Sequence, residues 1–192
     1  MTVITALYDP DEKVTWLGSN GRVTIGNFIG PSLDRKWIAF DEWVIGMTGT
    51  GPKEEVLRAE VDKFPKEEKH PFEILKFMRT AYLEYDIGEM DEGLKRFCGS
   101  GMLVHKSGAI WDFDNSFCLT KVDRNVFWAR GSGMDIAIGA GRALTSFVSS
   151  PKEITKRVVE IVVSTDIDCP GEVVLQSFDE NGVLSEPLKM DQ

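Results

Sequence analysis

Histidine and cysteine are scarce in this 192-residue chain, which has two of the first, His70 and His105, and three of the second, Cys98, Cys118 and Cys169. The histidines show no ligand-like spacing, which argues against a zinc site. The cysteines form neither a C-x-x-C pair nor an even disulfide set, a usage that fits a reducing compartment. Cationic residues are in deficit, 22 Lys and Arg against 31 Asp and Glu for a net charge of −9. Nucleic acid is therefore not an expected partner, because affinity for a phosphate backbone rests on clustered Lys and Arg. The N-terminus lacks a basic segment followed by an apolar one, and Asp9, Asp11 and Glu12 come early, so it does not read as a secretion signal. No apolar run approaches the about 18 residues that cross a bilayer. A soluble, cytoplasmic protein without metal or cofactor is expected. Residues 1–192 contain no long linker, low-complexity tract or repeat. One domain is expected, able to bury about 70% of its unfolded surface.

What is present is clear periodicity. TVITALYD and VTWLGS, joined by the acidic turn DPDEK, read as a hairpin. KWIAF and EWVIGMTG read as a second hairpin that continues the sheet. After TGTGP the period changes. PKEEVLRAEVDKF places Val56, Leu57, Ala59, Val61 and Phe64 near helical spacing, with Pro52, Glu54 and Glu55 suited to a first turn. PFEILKFMRTAYLEY follows as a second helix, apolar at Phe72, Leu75, Phe77, Met78 and Leu83, and Glu89 to Glu92 reads as a solvated loop.

Four strands come next, GMLVHK, GAIWDFD, NSFCLTKV and NVFWARG, divided by Ser-Gly, Asp-Asn and Asp-Arg-Asn turns. GMDIAIGAGRALTSF and SPKEITKRVVEIVVSTD read as two more helices, the second with Ser150 as N-cap, Pro151 at its first position and Glu153 two residues on. EVVLQSF closes the chain as a strand. Strands, helices, strands, helices and a last strand do not make an alternating βαβ sheet. Two antiparallel sheets stacked face to face, with a helix pair on each outer side, would cover every apolar face. The expected class is an α+β, four-layer αββα sandwich.

Thr2 has two readings at this point. One is an ordinary residue at the start of a strand. In the other, loss of Met1 leaves a hydroxyl and a free α-amine on one residue, and an amine of ordinary pKa about 8 serves as a base near neutral pH.

Four pieces of the chain, in order, resemble the proteasome β-subunit family of N-terminal nucleophile hydrolases, especially its compact HslV-type members. They are the N-terminal TVITA; GSNGRVTIG at residues 18–26, similar to G-A-D-x-R-x-T-x-G; Lys36 in DRKWIAF with the later turn MTGTG; and the pair ARGSGMDIAIGAGRAL and STDIDCPGEVVLQSF. The resemblance implies that Thr2, exposed by removal of Met1, is a nucleophile that forms an ester with a peptide carbonyl. It implies that Lys36 is a buried amine beside that hydroxyl, against the alternative of a surface lysine in the step Arg35-Lys36. It assigns Gly49 as the backbone oxyanion donor, and Thr24 and Gly49 as edges that hold a substrate strand. Ser132, Asp166 and Cys169 correspond to the residues around the N-terminal amine. For Ser132 a helix N-cap is an equal alternative, and for Asp166 a solvated turn acid beside Asp168. Val23, Ile38 and Met47 correspond to the pocket for the residue before the cut, implying an apolar preference, and read equally as core residues.

The sequence also departs from that pattern. Asn20 stands where the family carries an acid, with the register supported by Arg22, Thr24 and the 16 residues from Asn20 to Lys36. Cys169 stands where Ser or Thr is usual, and Pro170 replaces a glycine. An Asn offers Lys36 a carbonyl oxygen without charge, which weakens the hold on an ammonium yet frees a neutral amine. Two functions are compatible with these residues. One is a threonine peptidase in a self-compartmentalising ring of six or seven copies, single or doubled, acting on peptides or unfolded proteins with an ATP-dependent unfoldase as partner. The other is an impaired or inactive ring subunit or binding module of the same fold.

Overall fold

The computed structural model describes residues 2–21, 24–25, 28–29, 36–49, 53–65, 70–91, 94–96, 99–116 and 118–190. Strands β1 (Val3–Asp9), β2 (Val14–Asn20), β3 (Thr24–Ile25), β4 (Phe28–Ile29), β5 (Trp37–Phe40) and β6 (Trp43–Thr48) precede helices α1 (Lys53–Ala59) and α2 (Pro71–Glu84). Then come β7 (Glu89–Asp91), β8 (Leu94–Arg96), β9 (Ser100–His105), β10 (Ile110–Phe113), β11 (Leu119–Val122) and β12 (Trp128–Gly131). Helices α3 (Met134–Leu144) and α4 (Pro151–Thr165) and strands β13 (Val173–Asp179) and β14 (Leu188–Met190) complete the order.

Two five-stranded antiparallel sheets dominate, ordered β12-β1-β2-β13-β14 and β11-β10-β9-β6-β5. Period-two alternation on β1 sends Ile4 and Ala6 into the inter-sheet core with Leu17, Trp37, Val44, Met102 and Val104. Val3 and Leu7 on its other face pack with Ala137, Ile154 and Val158 of α3 and α4. Ile38, Ile45 and Leu103 on the outer side of the second sheet pack with Leu57, Ile74, Leu75 and Met78 of α1 and α2. Strands β1 and β2 are therefore buried on both faces, and the layers run helices, sheet, sheet, helices, as the sequence led us to expect.

Several local expectations are corrected. The β5–β6 hairpin does not extend the first sheet: β13 returns after α4 to pair with β2 from Val173↔Asn20 to Asp179↔Val14, and β6 pairs instead with β9. The first predicted helix stops at Ala59 and is followed by a 3₁₀ turn at Val61–Lys63, which itself ends where Phe64, preceding Pro65, is extended at φ −62 and ψ 136. In α2, Phe72 and Leu83 are about half exposed, while Ile74, Leu75, Met78, Ala81 and Tyr82 form the buried stripe. Glu89–Asp91 is not a loop but β7, paired with β8. β13 is not the last strand, since β14 pairs with it. The predicted cap of α4 is present: Ser150 Oγ accepts from Glu153 N at 3.3 Å. Among the described residues, no helix is long and apolar enough to cross a membrane.

Candidate active site

The N-terminus, three strand ends and one loop converge on Thr2. Residue 2 lies directly before β1, so the pairing of β1 with β2 and β12 determines where its side chain sits. Asn20 at the end of β2 stands beyond the Ile4↔Ser19 pair. Its Oδ1 accepts from Val3 N at 2.9 Å and from Lys36 Nζ at 2.7 Å, using both lone pairs of one oxygen. Its Nδ2 donates to Pro170 O at 3.1 Å. This network sets the amide's orientation, since a flip would face its NH₂ toward two other donors and its oxygen toward a carbonyl.

Lys36, immediately before β5, is not a surface residue: it is 4% exposed. Its Nζ donates to Thr2 Oγ1 at 3.3 Å. Burial brings the ammonium from its ordinary 10.5 down to about 8, partly opposed by the negative charge of Glu54 and by Cys169. Glu54, in the first turn of α1, has its own carboxyl pushed up by burial and by neighbouring Glu55, with Lys36 and Arg58 opposing. Sequence reasoning passed over Glu54, treating it only as a favourable first-turn acid. Its position five residues after Gly49 in the glycine-rich turn was the available signal.

The Thr2 nitrogen meets β12. With Met1 attached, this is a peptide nitrogen, and it donates to Ser132 Oγ at 3.1 Å, while Ser132 Oγ lies 3.3 Å from Thr2 O. Ser132 is not the helix cap, because the N-cap of α3 is Gly133. The approach depends on Gly131, at φ 107, where a Cβ would fall 1.9 Å from Thr2 O. Cys169 is buried and its Sγ lies 3.2 Å from Ser132 Oγ. Burial pushes that thiol up, as does Asp166, with Ser132 opposing. Asp166 ends α4 and is half-buried, and its Oδ1 accepts from Asp168 N at 2.9 Å, an Asx turn that aims the loop carrying Cys169.

Gly49 follows β6 at φ 104, with Lys53 Nζ 2.8 Å from where its Cβ would be. Lys53, 5% exposed, is a second cation that sequence reasoning did not single out. Ile38 and Met47 are buried in the core shared by the second sheet, α1 and α2, where Tyr82 OH donates to Met47 Sδ at 2.8 Å. Thr24 lies on β3 opposite Ile29. Val23, expected beside it, lies outside the described residues. Among the described residues, no cluster of His, Cys, Asp or Glu has metal-binding geometry. The arrangement sets a hydroxyl beside a buried amine of lowered pKa, a nucleophile and base pair of the kind used in nucleophilic acyl transfer.

No family model and no curated protein sequence matches the chain. Solved structures do. Thiobacillus denitrificans BPH aligns at a TM-score of 0.76 with 15% identity, covering 93% of this chain and 98% of that one. The same protein in complex with epoxomicin aligns at 0.72, with 15% identity and the same coverage. Eukaryotic HslV from Trypanosoma brucei aligns at 0.65 with 18% identity, covering 91% of this chain and 98% of that one. At such identities the likeness is one of fold: the chain has the αββα sandwich of BPH and HslV.

Proposed function

We propose that this fold serves here as a threonine peptidase, cutting peptide bonds with Thr2 once Met1 is removed. The observation that carries the reading is the buried Lys36 amine, 3.3 Å from Thr2 Oγ1 and brought down to about 8. At pH 7 about a tenth of such a group is neutral and ready to accept a proton. Thr2 Oγ1 attacks the substrate carbonyl carbon as its proton passes to Lys36, and the carbonyl oxygen becomes an oxyanion facing Gly49 N–H. The C–N bond then breaks, the amine product leaves with a proton, and an ester remains on Thr2. Water adds to that ester, its C–O bond breaks, and Oγ1 regains a proton. Asn20 orients the lysine. Ser132, with Asp166 and Cys169 behind it, holds the freed α-amine as a second proton carrier.

The substrate lies as an added strand along Thr24 and Gly49. By the sequence resemblance Val23, Ile38 and Met47 are assigned to the residue before the cut, and the buried, apolar setting of Ile38 and Met47 supports an apolar preference. The domain, residues 1–192, assembles in the cytoplasm into a ring of six or seven copies, single or doubled, with Thr2 facing an inner chamber. An ATP-dependent unfoldase feeds it peptides or unfolded protein. The ring proposal draws on the likeness in fold to BPH and HslV.

Epoxomicin is the direct probe, because a neighbour in fold was solved with it and an epoxyketone offers two electrophilic carbons to a hydroxyl and an amine on one residue. Intact-mass spectrometry should find the chain without Met1, with one adduct per chain that Thr2→Ala abolishes. Retained Met1 and no adduct would refute the peptidase. That outcome would favour a second reading, a non-catalytic ring subunit, for which the uncharged Asn20 beside Lys36 is the supporting observation.

A further inference from the structure

Asp112, on β10, is a carboxylate only 5% exposed. It accepts both arms of the Arg130 guanidinium, Nε on Oδ1 and Nη2 on Oδ2, and the indole N–H of Trp128 at 3.0 Å. All three donors come from one face of β12, which belongs to the opposite sheet. Strand β12 is four residues long and lies at an edge, hydrogen-bonded to β1 from Val3↔Gly131 to Ala6↔Trp128. Its other face carries Ala129 into the apolar cluster with Ala137 and Val158. Such contacts are non-directional and tolerate a small slide. The bidentate fork does not. A slip of one residue would turn Trp128 and Arg130 away from Asp112, and a slip of two would strip the carboxylate of its guanidinium.

Directly beyond this anchor the ladder ends, and Ser132 makes its contacts with Thr2 and with Cys169 Sγ. We infer that Asp112 is a positioning residue: by gripping Arg130 and Trp128 across the sandwich, it sets where β12 ends and so holds Ser132 between Thr2 and Cys169. The catalytic significance rests on the peptidase reading, whereas the anchoring does not.

The test reads the Cys169 thiol, which is buried and reacts only when its surroundings open, against the exposed Cys118 of the same chain. Native full-length protein is treated with iodoacetamide and each cysteine is followed by peptide mass spectrometry. In Asp112→Asn, the ratio of Cys169 to Cys118 alkylation should rise about tenfold through local opening. The double variant Asp112→Leu/Arg130→Met, which leaves no unmatched charge, should show the same rise with its fold intact. Leu75→Ala, in the distant α1–α2 layer, should destabilise the protein and leave the ratio unchanged. In a Ser132→Ala background, Asp112→Asn should add less than about twofold, because the two act through one contact. An unchanged ratio in the double variant, an equal rise in Leu75→Ala, or full additivity with Ser132→Ala would overturn the inference. Thiol reactivity needs neither Met1 removal nor turnover, so its failure and that of the peptidase reading are separable.

Discussion

Replacing Lys36 with Met keeps the length of the side chain and removes its titration. The fall in the ammonium's pKa from 10.5 to about 8 corresponds to about 3 kcal/mol of preference for the neutral amine in the folded state. Below pH 8 the folded protein carries the whole of that penalty, because it must hold a buried charge. Between pH 8 and 10.5 the unfolded chain binds a proton that the folded one has released, so stability rises with pH. About 2.5 kcal/mol of the penalty should be relieved between pH 7 and pH 10. Urea unfolding of wild type and Lys36→Met at fixed protein concentration across that range should therefore give curves that diverge, wild type gaining on the variant as pH rises. Groups that titrate alike in both proteins cancel in the difference. Loss of the bond to Asn20, whose Oδ1 keeps Val3 N, offsets the variant's curve without setting its slope. Parallel curves would refute the assignment of a buried, titrating amine beside the threonine hydroxyl.

Asn20→Asp places a carboxylate oxygen against Lys36 Nζ, now 2.7 Å from the amide oxygen, which favours the ammonium and moves its pKa back up. The pH-dependent gain in stability should flatten relative to wild type in the same urea series, and an unchanged slope would contradict it. The substitution also exchanges the donor to Pro170 O for an acceptor, so it is not expected to be a simple restoration of the family pattern. Gly131→Ala forces a side chain onto Thr2 O at a φ of 107. It should destabilise the fold by at least about 2 kcal/mol and abolish epoxomicin labelling. A urea midpoint equal to wild type would show that the strand end relaxes freely.

Periodicity and turn chemistry are local, and with them the chain itself specified all four α-helices, the strands of the two large sheets apart from β14, the cap at Ser150 and the order of layers that covers both sheets, but not the short strands β3, β4, β7 and β8. Thr2, Asn20, Lys36, Ser132 and Cys169 were legible as a set because their order along the chain resembles a known pattern, and the fold brings all five together. What the sequence did not contain was the environment of each group. Ser132 reads equally as a cap for α3 until β12 is seen to deliver it to Thr2. Lys36 follows an arginine, which left a surface reading open beside the buried one until the fold removed it from water, and that desolvation sets its proton affinity. Glu54 matters to Lys36, and Asp112 to Arg130, only across elements that meet in three dimensions. Helix and hairpin hydrogen bonds follow from short-range geometry. A low local dielectric and a contact between opposite sheets exist only once the sandwich has closed.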